Sequence, residues 1–277
     1  AARQGMWQAA AAEPDQAGAR TWIFTSATLG TDARLRWFTE PCGLTGAAVL
    51  RVDSPFDYAT QAAVYVPRDL PRPADAGHSA AVARLAGAAA RHLGGRTLVL
   101  TTTLRALQAI GQALGEQGGD LQVLVQGRMP KRRILERFQQ AGADGSAGCL
   151  LVASASFWEG VDIPGDALQL VVIDKLPFPP PNDPLVQART RRIEQAGGQP
   201  VKDFFLPETA VALKQGAGRL IRSETDRGLL VVCDARLVQM GYGRRLLASL
   251  PPMRILGDAA QYEEALEALA ALTRPST

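Results

Sequence analysis

Short apolar runs alternate with amphipathic stretches along most of this chain. The apolar runs are rich in Val, Leu and Ile, and we predict a buried β-strand for each of them: Thr21–Phe24, Arg96–Thr101, Leu121–Val125, Cys149–Ala153, Gln169–Asp174 and Gly228–Asp234. The stretches between them predict helices over Ser79–Leu93, Leu104–Glu116, Pro130–Gln140, Asp183–Ala196 and Pro207–Leu220. Continuous apolar strands separated by helices are typical of a parallel sheet covered on both faces, so the predicted fold class is α/β.

Polar segments follow several of the predicted strands. They are Thr101 to Thr103, Gln126 with Gly127, Ser154 to Gly165, and the Pro-rich run Lys175–Pro181. Ligands of parallel sheets bind at the carboxyl ends of the strands, so these segments are candidates for a binding surface. The Pro-rich run cannot continue either kind of regular element and predicts a stiff surface loop.

The two ends of the chain fit the alternating pattern less well. A long, looser stretch separates the first predicted strand from the next clear one, although Ala62–Val66 within it is a candidate short strand. We therefore expect residues 1–30 to be the end of a preceding module, 31–252 the main domain, and 253–277 a tail. The tail contains a helical pattern over Ala259–Leu272, expected to be an exterior helix or a frayed end.

A polar stripe late in the chain is the segment that most limits the possible functions of this protein. On a helix, Gln215, Arg219 and Arg222 lie within about 60° of one another, opposite an apolar stripe. Gly216 and Gly218 flank this stripe, although each costs roughly 1 kcal/mol relative to Ala in a helix interior. Such a segment favours the close approach of a bulky ligand, and paired guanidinium groups suit phosphate oxygens. The alternative is an ordinary amphipathic helix with a solvated basic face.

Composition and charge exclude several classes of protein. The chain has 277 residues, of which 47% are hydrophobic and 21% charged, and its net charge of +3 is too small to indicate nucleic-acid binding by itself. Cys42, Cys149 and Cys233 are far apart and odd in number, which predicts no disulfide framework and no metal site. Cys149 and Cys233 lie at the ends of apolar runs, which predicts buried thiols in a reducing cytosol. No apolar run reaches the ~20 residues that span a bilayer, and no signal-peptide pattern opens the chain, so we expect no membrane partner.

Three segments, in this order, resemble the second motor domain of a superfamily 2 helicase. They are Thr25-Ser26-Ala27-Thr28 (the SAT motif), Phe157–Gly165 (motif V) and Gln215–Arg222 (motif VI). Within that group the chain is similar to the DinG/YoaA bacterial relatives of XPD, and two further segments resemble the YoaA branch: Ile173–Phe178 and Ser54–Tyr58. The resemblance covers most of Trp22 to Pro252. It implies a RecA-like domain, related to the P-loop NTPases, with ATP bound in the cleft between it and a first motor domain.

The resemblance also implies roles for the residues that match these motifs. Arg219 and Arg222 would act as arginine fingers on the γ-phosphate of ATP, and Gln215 would orient or sense the nucleotide. The remaining nucleotide-site residues would be Glu159, Gly160, Asp162 and Gly218, and those that couple nucleotide state to DNA would be Thr25, Ser26, Ala27 and Thr28. The alternative for the two carboxylates of motif V is a turn with solvated side chains.

Single-stranded DNA is the partner that the resemblance implies, and polar residues after the strands are its candidate ligands. These are Thr101, Thr102, Thr103, Gln126, Arg128 and Ser154. Three basic groups could also neutralise backbone phosphates, with an affinity that falls as salt rises: Arg128 to Arg133, Arg189 to Arg192, and Arg244 with Arg245. A charge run is as often a solvated face, and that alternative stays open for each group.

Several motifs of the family are missing from this sequence. It contains no Gly-x-x-x-x-Gly-Lys-[Ser/Thr] loop and no Asp-Glu-Ala-His box, and three cysteines cannot supply the family's four-cysteine iron–sulfur site. We therefore expect a C-terminal fragment, inactive alone, of a bacterial, cytoplasmic and nucleoid-associated helicase. Its missing first motor domain would complete the site for ATP and Mg²⁺, and the parent would carry the iron–sulfur cluster.

The resemblance implies an activity for the parent as well. It would translocate 5′ to 3′ on single-stranded DNA in repair or replication recovery, and contact the clamp-loader-associated χ subunit through the surface after Arg227. Two alternatives remain: a catalytically inert DNA- or protein-binding RecA-like module, and a superfamily 2 translocase that does not unwind. A P-loop and four cysteines upstream of Ala1 would distinguish the motor from the binding module.

Overall fold

The chain divides into two compact units, residues 1–54 and residues 55–277. The computed structural model describes residues 21–26, 33–44, 46–141, 148–154 and 167–273. In the first unit, helix α1 (Arg36–Thr39) is short, and the rings of Phe24 and Phe38 meet edge to face with centroids 5.4 Å apart. The strand predicted over Thr21–Phe24 is not observed, because residues 21–26 lack regular secondary structure. The division after Ser54 also lies later than the expected boundary at residue 30.

Parallel strands build the sheet of the second unit. Among the described residues these are β1 (Ala62–Tyr65), β2 (Thr97–Thr101), β3 (Gln122–Val125), β4 (Cys149–Ser154), β5 (Leu170–Ile173), β6 (Gly228–Val232) and β7 (Arg254–Leu256). Their order is β3-β4-β2-β5-β6-β1-β7, and every neighbouring pair is parallel. Strands β1, β2, β5 and β6 are buried at every position, which explains their unbroken apolar sequences.

Helices cover both faces of this sheet. In chain order they are α2 (Tyr58–Gln61), α3 (His78–His92), α4 (Leu104–Glu116), α5 (Lys131–Gln140), α6 (Pro184–Gln195), α7 (Leu206–Ala217), α8 (Arg236–Gln239), α9 (Gly243–Leu247) and α10 (Ala259–Thr273). A π-helical turn, Val201–Phe205, leads directly into α7. None of the helices in the described ranges is long and apolar enough to cross a membrane.

The core consists of two layers, one on each face of the sheet. Side chains alternate along β2, so Leu98 and Leu100 face one layer while Val99 faces the other. The first layer packs against α5, α7 and α9, and the second packs against α3, α4 and α10. The predicted α/β fold with helices on both faces is therefore confirmed, and most predicted elements agree with the observed ones within a residue or two.

The segment after Pro252 belongs to the sheet and is not a tail. Strand β7 pairs with β1 at the edge, and α10 buries Leu266 and Leu269 against the second core layer. The ring of Tyr262 stacks on that of Tyr65 with centroids 4.6 Å apart. Sequence reasoning missed β7 because a three-residue strand with two exposed positions has no readable periodicity.

Candidate functional site

The three threonines after β2 have three different roles. Thr101 is fully buried, and its hydroxyl donates a hydrogen bond to the carbonyl oxygen of Ala153 at 3.2 Å. Thr102 donates its backbone N–H to Oδ1 of Asp174 at 3.0 Å and its hydroxyl to Oδ2 at 3.4 Å. The Thr103 hydroxyl accepts a hydrogen bond from the first turn of α4 and caps that helix. Contrary to expectation, the Thr101 hydroxyl faces the core and is not available to a DNA phosphate.

Gln126 and Ser154 meet at the carboxyl ends of two adjacent strands. The Gln126 side-chain oxygen accepts hydrogen bonds from the Ser154 backbone N–H at 2.7 Å and from its hydroxyl at 3.0 Å. Arg128 follows after a turn in which Gly127 has a φ of 91°, a conformation that glycine adopts without strain. Arg128 is exposed. These residues, predicted from separate segments, therefore share one edge of the sheet.

Asp174 is a buried carboxylate that the sequence reasoning did not single out. Besides Thr102, its Oδ1 accepts the backbone N–H of Lys175 at 2.8 Å. Burial raises the pKa of Asp174 to about 6, against the lowering effects of Lys175 and of these hydrogen bonds. Its backbone carbonyl lies 2.8 Å from Nε2 of His78, whose Nδ1 lies 2.8 Å from the Pro71 carbonyl. The signal in the sequence that could have identified Asp174 is an acidic residue at the end of an apolar strand.

Asp234, after β6, anchors the Pro-rich loop. Its carboxylate receives two hydrogen bonds from the Arg236 guanidinium, at 2.9 and 2.6 Å, and one from the backbone N–H of Leu176 at 2.9 Å. The guanidinium lies 5.6 Å from the ring centroid of Phe178, which also packs edge to face on Tyr242. The stiff loop predicted from its prolines is thus held to the carboxyl edge of the sheet.

The polar stripe of motif VI does not lie on one helix. Helix α7 ends at Ala217 with Gly218 as its C-cap, so Gln215 occupies the last turn while Arg219 and Arg222 follow it. The single helix predicted over these positions is wrong, because Gly216 and Gly218 lower the helix propensity of this segment. Both arginines are partly buried, and their Nε atoms are fully buried.

Two partners hold the loop that contains Arg222. The carboxylate of Asp226 accepts hydrogen bonds from within the loop, and the side-chain amide of Gln61 donates to its carbonyl oxygens. Neither residue was a candidate in the sequence, because Gln61 is distant along the chain and an acidic residue in a polar loop is commonplace.

The candidate residues occupy opposite edges of the sheet. Every strand is parallel, so residues just before β6, including Arg219 and Arg222, lie at the amino edge. Thr102, Gln126 and Ser154 lie at the carboxyl edge. A five-residue strand separates the two edges by roughly 16 Å. The structure therefore does not bring the motif VI arginines together with the predicted DNA ligands.

Motif V and part of the SAT motif contain several predicted site residues. Glu159, Gly160 and Asp162 of motif V, and Ala27 and Thr28 of the SAT motif, lie outside the described residues. Thr25 and Ser26 are described; both are exposed and lack regular structure.

The predicted basic groups differ in how tightly they are held. Arg189 pairs with Glu208 at 3.0 Å and lies over the ring of Phe204 at 4.4 Å, so its guanidinium is engaged within the protein. Arg132 is highly exposed and pairs with Glu136 one helical turn away. Arg244 and Arg245 are also exposed.

The second unit has a RecA-like fold, with a parallel sheet covered by helices on both faces. Two solved structures share this fold: an XPD apo structure (TM-score 0.50, 14% identity, covering 69% of this chain and 39% of that one) and S. cerevisiae Dbp5 bound to RNA and ADP BeF3 (TM-score 0.51, 15% identity, covering 87% and 53%). At such low identity, these likenesses establish the fold alone.

The chain belongs to the helicase C-terminal domain family, whose family model matches residues 88–253. It is 44% identical to the ATP-dependent DNA helicase YoaA of Escherichia coli (strain K12) over 244 residues, which are 87% of this chain and 37% of that protein. It is 38% identical to the ATP-dependent helicase DinG of Mycobacterium tuberculosis (strain ATCC 25618 / H37Rv) over 258 residues, 90% of this chain and 37% of that protein. The predicted resemblance to the DinG/YoaA group is confirmed. The chain spans little more than a third of the length of these relatives.

Proposed function

We propose that this chain is the C-terminal motor domain of a DinG/YoaA-type ATP-dependent DNA helicase that moves 5′ to 3′ on single-stranded DNA in repair or replication recovery. The observation that carries the proposal is the motif VI segment, which lies inside the region matched by the helicase family and contains two arginines, Arg219 and Arg222, after the end of α7. A binding module without chemistry would not require this pair.

Arg219 and Arg222 are the proposed arginine fingers, and ATP is the substrate. A guanidinium remains charged at neutral pH and offers planar, paired donors, so it can stabilise negative charge that grows on the γ-phosphate oxygens during transfer. Gln215, in the last turn of α7, is the proposed residue that orients or senses the nucleotide. Gly218 leaves the backbone between them accessible, since it is exposed at the helix end.

The described residues of this chain do not form a cluster of protein ligands for a metal ion or an iron–sulfur cluster. No group of three or more His, Cys, Asp or Glu side chains comes together within those ranges. Cys149 and Cys233 are buried, and burial raises the pKa of both thiols. We therefore assign the Mg²⁺ ligands and the cluster to the parent's preceding domains, which would also complete the ATP site.

The carboxyl edge is the proposed track for single-stranded DNA. Thr102, Thr103, Gln126, Arg128 and Ser154 lie there, and polar groups with an exposed arginine suit contacts to the sugar–phosphate backbone. Thr101 is left out of this track because its hydroxyl is buried. Separate edges for nucleotide and DNA would let one domain bind both at once.

The proposal extends to partners and location. We propose the parent's first motor domain as the essential partner and a χ-like clamp-loader subunit as a second partner. The proposed location is the cytoplasmic nucleoid. An inert DNA- or protein-binding module, or a translocase that does not unwind, remains the competing function.

The test uses the full natural gene product that contains this chain. We expect DNA-stimulated ATP turnover, and an Arg222→Ala variant should lose about 10³-fold or more in kcat, the typical effect of removing an arginine finger. Arg84→Ala is the matched control, because Arg84 is an exposed arginine of α3. Steady-state ATP hydrolysis with saturating single-stranded DNA measures both.

Each result has a clear consequence. Turnover lost in Arg222→Ala and retained in Arg84→Ala supports the motor function. An inactive full-length protein, or unchanged turnover in Arg222→Ala, favours the binding module instead. Turnover without strand separation in an unwinding assay would identify the translocase.

A further inference from the structure

Arg222 lies in a segment without regular structure. Residues 218 to 227 connect α7 to β6 through turns and bends. A side chain that must meet a developing charge needs a fixed backbone, because a displacement of about 1 Å at a catalytic group can reduce the rate about 100-fold. In a loop, that rigidity has to come from specific contacts.

Asp226 supplies such contacts from within the loop. Its Oδ2 accepts the backbone N–H of Arg222 at 2.7 Å and that of Ser223 at 2.9 Å, while its Oδ1 accepts the Ser223 hydroxyl at 2.6 Å. Asp226 is buried. These hydrogen bonds tie the backbone at Arg222 and Ser223 to one buried side chain and so fix the backbone at Arg222.

Gln61 holds the same loop from a distant part of the sequence. Its Nε2 lies 2.9 Å from the carbonyl oxygen of Ser223, 3.1 Å from that of Glu224 and 3.1 Å from that of Asp226. Gln61 is buried at the end of α2, immediately before β1, and more than 160 residues separate it from these acceptors. Because the next residue, Ala62, pairs with Gly228 at the start of β6, Gln61 lies beside the end of this loop.

We propose that Asp226 and Gln61 are positioning residues that hold Arg222 for ATP hydrolysis. This inference rests on the proposed role of Arg222. Asp226 accepts two backbone N–H groups of the loop, and Gln61 donates to its carbonyl oxygens from the end of α2, so together they restrain both kinds of backbone group. Neither residue touches the nucleotide; each acts through the arginine.

The experiment compares variants of the full natural gene product by kcat and by the KM for ATP. Asp226→Ala removes all of the contacts of that carboxylate. Asp226→Asn keeps an oxygen for the two backbone N–H groups and an amide that can donate to the Ser223 hydroxyl. Gln61→Leu removes the amide donors at similar volume, and Gln112→Leu is its matched control on the exposed face of α4.

We expect Asp226→Ala and Gln61→Leu to lower kcat by roughly 10- to 100-fold with little change in KM. Asp226→Asn should restore activity to within about threefold of wild type, and Gln112→Leu should match wild type. The decisive variant combines Arg222→Ala with Asp226→Ala. If Asp226 acts only through Arg222, this double variant should be no slower than Arg222→Ala alone.

The outcomes separate this inference from the proposed function. Unchanged turnover in Arg222→Ala overturns both. The positioning role alone is overturned if Arg222→Ala lowers kcat while Asp226→Ala and Gln61→Leu turn over ATP normally. It is also overturned if the losses in kcat multiply in the double variant. Thermal unfolding by circular dichroism is measured for every variant, and if Asp226→Ala does not fold, Gln61→Leu combined with Arg222→Ala provides the same comparison.

Discussion

At the scale of the residue, the protonation of Asp174 is coupled to folding. Its carboxyl group is buried among backbone N–H groups after β5, and its pKa is raised from 3.8 to about 6 because burial disfavours the charged form. An acid with a raised pKa stabilises the folded state fully below its ordinary pKa. That contribution is lost as the pH rises through about 6.

We predict that Asp174→Asn removes this pH dependence. Between pH 4 and pH 7, wild type should lose at most about 3 kcal/mol of unfolding free energy through this group, at about 1.4 kcal/mol per pKa unit. The asparagine oxygen can still accept the N–H groups of Thr102 and Lys175 but cannot ionise. Urea unfolding at several pH values measures the free energy of unfolding of both proteins. The prediction is contradicted if this free energy changes with pH equally in wild type and Asp174→Asn.

At the scale of the element, close approach of the backbone fixes how β2 and β4 begin. Gly95 has a φ of 98°, and a Cβ there would lie 2.5 Å from the backbone nitrogen of Cys149. The chain before β2 therefore passes too close to the start of β4 for any side chain. Gly115, on α4, has open space around its missing Cβ.

We expect alanine substitutions at these two glycines to change the stability of the fold in opposite directions. Gly95→Ala is expected to destabilise the fold by roughly 2 kcal/mol or more, through strain at positive φ and a clash with backbone. Gly115→Ala should stabilise it by up to about 1 kcal/mol, because alanine favours the helix. Denaturant midpoints measure both changes. Equal effects from the two substitutions would refute the close contact between the strands.

At the scale of the whole molecule, α10 completes the second core layer. Leu266 is buried on this helix, whereas Leu272, farther along it, is 66% exposed. We predict that Leu266→Ala costs about 2–5 kcal/mol of unfolding free energy, as expected for a cavity in a core. Leu272→Ala should change it by less than about 0.5 kcal/mol. If both substitutions were neutral in thermal unfolding, residues 253–277 would be a tail after all.

The sequence by itself determined the α/β class, most strand and helix positions and the family, because unbroken apolar strands, helical periodicity and motif spacing are local signals. Only the tertiary structure decided where α7 ends, that Thr101 faces the core, that β7 and α10 belong to the sheet, and that Gln61 and Asp226 hold the loop of Arg222. The burial of Thr101, the pairing of β7 and the Gln61 contacts depend on residues far apart in the chain, and such contacts cannot be predicted from the period of a single segment. The end of α7 and the Asp226 bonds are local, but they lie where the helical period stops.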